Sequence, residues 1–274
     1  MLETDPFRIR SHVADFDAIV ADILARSAET RERLPMSGDI AYGSGPAETL
    51  DLFFPEKRRE PAPVHIFIHG GYWRMFSKRD YSLVAETVTK AGAIAVIVDY
   101  ALMPAVRMET IVDQMRRARR WVAENIAAHG GDPGRLTISG HSAGGHLSTF
   151  LFNEDQTPSG IDAALLLGGL YDLAPLQSSF LKEEIAITDA EVARFTPLTH
   201  RHDPATKVSI LVGADETPPF HAQADAFKTL LRQQGLAVVR GSLAARNHMD
   251  SVRDLGVAES EAGKALQSLI AQSS

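Results

Sequence analysis

Six uninterrupted apolar runs of strand length recur along the chain, with helical patterns between them. They are "VHIFIHG" from Val64, "AIAVIVDY" from Ala93, "RLTISG" from Arg135, "AALLLGG" from Ala163, "KVSILVG" from Lys207 and "LAVVRGS" from Leu236. A strand wetted on one face alternates apolar and polar residues, whereas a strand covered on both faces can be apolar throughout. Runs of the second kind, separated by "DYSLVAETVTKAG", "ETIVDQMRRARRWVAENIAAHG", "AGGHLSTFLF" and "FHAQADAFKTLLRQQG", predict an α/β fold: a mostly parallel sheet with helices on both faces.

Two segments fall outside this rhythm. Residues 1–35 read as an N-terminal helical segment in which Val13, Phe16, Ile19, Val20, Ile23 and Leu24 share a face, and "ETLDLFFP" from Glu48 reads as an early strand. Residues 171–205, roughly, separate two strands by far more than an ordinary connection, which suggests a lid-like insertion. No repeat, low-complexity tract or linker divides the chain, so residues 1–274 are expected to form a single domain.

The formal net charge of -7 opposes a nucleic-acid partner, which needs a clustered positive field. The local exception, Arg116 to Arg120, lies on a helical pattern whose apolar stripe is Ile111, Met115, Ala118, Val122 and Ile126; its arginines read as a solvated face. The chain has no cysteine, which removes disulfides, thiolate metal sites and cysteine nucleophiles. The start "MLETDPFRIRSHVADF" carries acids early and has no continuous apolar stretch, unlike a signal peptide, and no run reaches membrane-spanning length. The cytoplasm is the expected location, without a membrane partner.

The "RLTISG" run continues into "GHSAGGHL", so that Gly140, Ser142 and Gly144 make a G-x-S-x-G pattern between a predicted strand and a predicted helix. By composition alone such a pattern arises in roughly one chain in ten of this length; its position is what carries meaning. A sharp strand-to-helix turn exposes the serine hydroxyl above the sheet and aims the amide of Ala143 at the same place. A serine needs a histidine to take its proton, and the histidine needs an acid to orient it. In folds of this kind the acid follows the next-but-one strand, where "VSILVGADETPPF" offers Asp215 and Glu216. Glu216 is favoured, three residues beyond Gly213, with Asp215 as the other candidate. Ten histidines compete for the base, but only His221 and His248 follow the acid. His221 opens the next helix too near the acid's own turn, so His248, expected in the loop after the last strand, is the candidate. His200 and His202 lack a third ligand at metal spacing and read as loop residues.

Two histidine-glycine-glycine sequences need opposite readings. In "AAHGGDPGR", Gly130 or Gly131 can cap a helix in the left-handed conformation, and Asp132-Pro133-Gly134 can turn into the next strand. In "IFIHGGYW" the glycines leave a buried strand on the edge where the serine turn emerges. There their amides can approach a substrate oxygen, as an oxyanion hole requires. Gly70, Gly71 and Ala143 are the oxyanion-hole candidates. Tyr72 and Trp73 are expected to wall the substrate pocket, and His69, which also braces the loop, His141, Tyr171 and Phe220 are placed in the same pocket.

Together "HGGYW", "GHSAGGHL", "VGADETPPFHAQ" and "NHMD" resemble the α/β-hydrolase superfamily, and within it the kynurenine formamidase (arylformamidase) group and its bacterial esterase relatives. The likeness runs from about Tyr42 to the C-terminus. It implies an α/β-hydrolase fold, no cofactor, and nucleophile, acid and base at Ser142, Glu216 and His248. The formamidases carry aspartate where this chain has Glu216. The expected activity is a serine hydrolase cleaving a small carboxylic ester or an aryl formamide or amide, with a small-molecule substrate as its partner and a homodimer as a compatible assembly. Two rivals stand beside it. A non-catalytic small-molecule-binding protein on the same fold predicts a missing triad member, and none is missing; a cofactor-free peroxidase shares the triad and differs only in assay. No G-x-G-x-x-G follows the first strand, which opposes dinucleotide binding.

Overall fold

The computed structural model describes residues 5–57 and 61–273. The first four residues of the expected N-terminal segment lie outside them. Among the described residues, eight strands form one sheet in the order β1-β2-β4-β3-β5-β6-β7-β8. They are β1 (Met36–Ala41), β2 (Thr49–Phe53), β3 (Ala62–Ile68), β4 (Ile94–Val98), β5 (Gly131–His141), β6 (Ala163–Leu167), β7 (Lys207–Gly213) and β8 (Val238–Leu243). The β1–β2 and β2–β4 pairs are antiparallel and every pairing from β4 to β8 is parallel. Every residue of β4 and β6 is buried, as their unbroken apolar sequences require, whereas the edge strands β1 and β8 are half wetted.

The helices are α1 (Phe16–Arg33), α2 (Val84–Lys90), α3 (Met108–Asn125), α4 (Ala143–Thr149), α5 (Leu181–Ile185), α6 (Asp189–Phe195), α7 (Pro218–Gln233), α8 (His248–Leu255) and α9 (Glu261–Ile270). One group, α1, α2, α8 and α9, packs together, and α3 packs with α4 and α6. The chain winds outward from β3 in both directions, to β4 on one side and β5 on the other. A crevice therefore opens at the carboxyl ends of these strands, where ligands bind in open α/β sheets.

Local patterning misplaced some faces. The buried stripe of α1 is Ile19, Ile23, Ser27 and Thr30, while Leu24 is 39% exposed. Ser27 is accommodated because its hydroxyl donates to the Asp80 carbonyl and accepts from the Leu83 amide. The arginines of α3 are not merely solvated: Arg117 pairs with Glu48, Arg116 with Asp155 at 3.5 Å, and Arg119 donates to the Ser159 carbonyl. Gly130 takes the left-handed conformation (φ 81°) at the end of the helical run, as the capping reading of its histidine-glycine-glycine requires.

His65, at the centre of β3, is fully buried with its ring nitrogens 2.8 Å from Thr137 Oγ1 and 2.7 Å from Ser139 Oγ, both on β5. Burial pushes its pKa down to about 3, and that of His146 in α4 to about 4. In the unfolded chain both titrate near 6.5. Below that pH the unfolded chain takes up protons that the folded protein refuses, so stability falls as pH drops from 6.5 toward 4. Each histidine contributes a slope of up to about 1.4 kcal/mol per pH unit. Urea-unfolding free energies at pH 7.5, 6.0 and 5.0 should show this decline, and a flat profile would contradict it.

Candidate functional site

Strand β5 ends at His141 and α4 starts at Ala143, leaving Ser142 as the sole hinge, at φ 54° and ψ −118°. A non-glycine residue rarely holds such a backbone unless its surroundings impose it. Here the Ser142 amide donates to the Leu167 carbonyl at 2.9 Å, and its own carbonyl accepts from the His146 amide at 3.1 Å. The glycines of the pattern make the hinge possible. A Cβ on Gly140 would collide with the Gly144 carbonyl, and one on Gly144 with the Ile68 carbonyl. The turn is thus pressed backbone to backbone against the end of β3.

The turn after β7 brings Glu216 under the helix α8. Its Oε1 accepts the Gly213 amide at 2.9 Å, and its Oε2 accepts Nδ1–H of His248 at 2.6 Å. The carboxylate is fully buried and His248 is 4% exposed, so the pair sits where water does not compete for these bonds. Asp215, one residue earlier, is exposed. His248 is the first residue of α8 rather than a loop residue. Asn247 caps that helix, its side-chain oxygen accepting the Met249 and Asp250 amides at 2.9 Å each, which fixes the backbone from which the imidazole projects. The other candidate, His221, lies against Arg240 at 3.1 Å.

Gly168, just past β6, was not singled out by its sequence context and lies directly against this pair. It has φ +52°, and a Cβ there would lie 3.0 Å from both Glu216 Oε1 and His248 Nδ1. The "LGG" ending of its strand was the available signal. His141 also contributes: its Nε2–H donates to the His248 carbonyl at 3.0 Å, and the two rings lie 4.5 Å apart. Desolvation, and secondarily the neighbouring His248, hold the His141 pKa well below its usual range, so it stays neutral.

The segment after β3 coils left-handed, with φ of 109°, 52° and 59° at Gly71, Tyr72 and Trp73. His69 is fully buried, stacks on Tyr100 at 4.2 Å, and donates through Nδ1 to the Gly70 carbonyl at 2.8 Å. It braces the loop from below. The Gly70 and Gly71 amides donate to no other described residue. Trp73 departs from expectation. It is fully buried, and its Nε1–H donates to His146 Nδ1 at 3.2 Å, while His146 Nε2–H donates to the Phe195 carbonyl at 2.8 Å. The indole therefore ties the loop to α4 and is not a pocket wall.

A cavity of about 30 Å³ lies at this junction, and Ser142, His248, His141, Gly71 and Tyr72 line it. His69, Tyr171 and Phe220, also placed in the pocket by sequence, do not; His69 lies below the loop against Tyr100. Tyr171 stacks on Phe227 at 4.3 Å within the core, and Phe220 supports the His248 ring from 4.7 Å. The cavity's remaining wall includes Ile9, Phe16 and Phe76, which no sequence signal had placed in the pocket. None of residues 171–205 lines it. Among the described residues no group of three histidine or carboxylate side chains gathers as a metal site, and no helix is long and apolar enough to cross a membrane. His200 donates to the Arg194 carbonyl and His202 contacts Gln234.

A sheet of this topology with a serine hinge beside a buried histidine–carboxylate pair defines the α/β-hydrolases, and a family described as alpha/beta hydrolase fold matches residues 65–258. The chain belongs to that family. Within it, the chain is an esterase/arylformamidase-like hydrolase. It is 27% identical over 267 residues to kynurenine formamidase of Danio rerio, covering 93% of this chain and 89% of that one. It is 30% identical to kynurenine formamidase of Salmo salar, covering 79% and 76%, and 29% identical to esterase LipQ of Mycobacterium tuberculosis, covering 76% and 56%. Among solved structures, a putative thioesterase from Silicibacter sp. superposes with a TM-score of 0.84 at 25% identity over 99% of each chain.

Gly168→Ala should displace the Glu216–His248 pair. A shift of about 1 Å in such groups costs about 100-fold in rate, whereas a strained left-handed alanine costs only about 1–2 kcal/mol of stability. Steady-state kcat for an aryl ester, measured beside the thermal midpoint, should show a drop of ten- to a hundredfold with the fold retained. Unchanged kcat would remove Gly168 from this role.

Proposed function

We propose that the protein cleaves a small carboxylic ester or aryl formamide through an acyl-enzyme on Ser142. The observation that carries this reading is the buried 2.6 Å bond between Glu216 and His248, beside a serine held at a strained hinge and lining the same cavity. With Nδ1–H committed to Glu216, the lone pair of His248 lies on Nε2 and is free to take the Ser142 proton as Oγ attacks the carbonyl carbon. The carbonyl π electrons move to oxygen, and the amides of Gly70, Gly71 and Ala143 stabilise that oxyanion. On collapse, the bond to the leaving alcohol or amine breaks and His248 returns the proton to it. Water, activated by the same nitrogen, then attacks the acyl-enzyme and releases the acid. Glu216 stabilises the imidazolium at each passage, its second oxygen pinned by the Gly213 amide.

The size of the cavity supports short acyl groups. One water needs about 10–15 Å³ of such space, so about 30 Å³ suits formyl or acetyl. The kynurenine formamidases and esterases among its relatives support both an aryl formamide and a simple ester as substrate.

Ser142→Ala should lose on the order of 10³-fold or more in kcat, and a fluorophosphonate should leave a single adduct, on Ser142, by intact-mass and peptide analysis. Glu216→Gln should cost about 10²- to 10⁴-fold and Asp215→Asn little. Turnover by the alanine variant, or an adduct elsewhere, would overturn the assignment. Rates for N-formylkynurenine and phenyl acetate measured side by side decide the substrate. Absent formamide turnover beside brisk acetate hydrolysis would make this an esterase.

A further inference from the structure

Ser142 and His248 are each only 4% exposed, so a substrate reaches them only past whatever covers the cavity. Part of that cover is the N-terminal segment from Asp5 to Phe16, beside Tyr72, Met75 and Phe76. Ile9 and Phe16 line the cavity directly, and the same two residues, with Tyr72 and Met75, also line a separate outer groove of about 290 Å³. Phe180 and Arg8 edge that groove, the guanidinium 4.4 Å above the ring. Two compartments of very different size therefore share one thin wall.

The wall is fastened at points that adjoin the chemistry. The Tyr72 phenol accepts the Ile9 amide at 3.1 Å and donates to the Phe7 carbonyl at 2.8 Å. Thr217, next to Glu216, donates through its hydroxyl to the Pro6 carbonyl at 2.8 Å. The Phe180 amide donates to Asp5, and the Phe7 ring packs 6.1 Å from that of Phe220, which itself supports His248. Tyr72 thus acts on the pocket through the strap it holds as well as through its own ring.

Resting on the reading of Ser142 as nucleophile, we infer that the strap Asp5–Phe16 is the specificity wall of the site. Ile9 and Phe16 separate an acyl hole of formyl-to-acetyl size beside Ser142 from an outer groove that receives an aryl leaving group, and the Tyr72 phenol fixes the partition. The strap gives way when a larger acyl group is forced into the hole, because it buries Phe7, Ile9 and Val13 and makes a few hydrogen bonds and ring contacts but has no place in the sheet. Each further methylene in so tight a hole costs about ten- to two-hundredfold in kcat/KM.

The test uses 4-nitrophenyl acetate, butyrate and octanoate with the full chain, its Ile9→Ala variant and its Tyr72→Phe variant. Both substitutions should raise the octanoate-to-acetate ratio of kcat/KM at least tenfold, by joining the hole to the groove. Wild-type protein gives an independent reading by hydrogen exchange of residues 5–13 before and after labelling with a methyl or an octyl fluorophosphonate. The octyl adduct should strip protection from the Ile9 amide, and the methyl adduct should leave it. Failure of both probes to label Ser142 would defeat the nucleophile assignment itself, whereas labelling by the methyl probe alone would overturn the yielding strap. Labelling of Ser142 with equal Ile9 protection in both adducts, or an unchanged chain-length ratio in both variants, would overturn the strap.

Discussion

The site depends on how closely the backbone of the serine turn approaches the end of β3. Gly140 and Gly144 lie where no side chain fits, one against the other and the second against the Ile68 carbonyl. This contact brings two pieces of chain 73 residues apart in sequence to a shared junction: the loop that begins at Gly70 and the amide of Ala143. Oxyanion stabilisation needs donors held in place before the reaction starts, because reorganisation during the reaction erodes their benefit. If Gly70, Gly71 and Ala143 serve as proposed, close packing of glycine backbone supplies that rigidity without flexible side chains. Trp73 adds a second tie between the same two pieces through His146, which explains why so large a residue is spent just after the glycines.

Burying a carboxylate is costly unless its oxygens are matched by donors. Glu216 has one donor for each oxygen, the Gly213 amide and the His248 ring, and Gly168 leaves the space in which the pair lies. The extra methylene of glutamate relative to aspartate is absorbed because the side chain folds back on its own turn, three residues after Gly213. Three other buried histidines have different partners. His65 meets hydroxyls, and His141 and His146 donate to backbone carbonyls; burial without a carboxylate keeps all three neutral.

Left-handed residues concentrate where the chain leaves the sheet to form the site: Gly71, Tyr72, Trp73, Phe76, Ser142 and Gly168. Conformations of this kind cost about 1–3 kcal/mol each at non-glycine positions and persist only when surrounding contacts over-determine them. Those contacts are visible: Tyr72 is tied to the strap, Trp73 to α4, and Ser142 to β6 and its own helix. The stability of the surrounding sheet maintains the strain at its edge.

Much of this was legible in the amino-acid order. Unbroken apolar runs demanded strands covered on both faces, since any wetted face would have shown as alternation. Two glycines flanking Ser142 between a strand and a helix, an acid three residues past Gly213 and a histidine after the last strand are local or ordinal features, so the chain alone marked Ser142, Glu216 and His248. Tertiary structure decided what lies beside what. Whether Trp73, Tyr171 and Phe220 wall a pocket or fill the core, whether the α3 arginines meet water or Glu48 and Asp155, and which segment roofs the cavity all depend on neighbours far away in sequence. An aromatic residue is equally apolar in a pocket wall and in a core. Ile9 and Phe16 carried no local mark of their role because periodicity records that a residue is buried and is silent about which surface buries it.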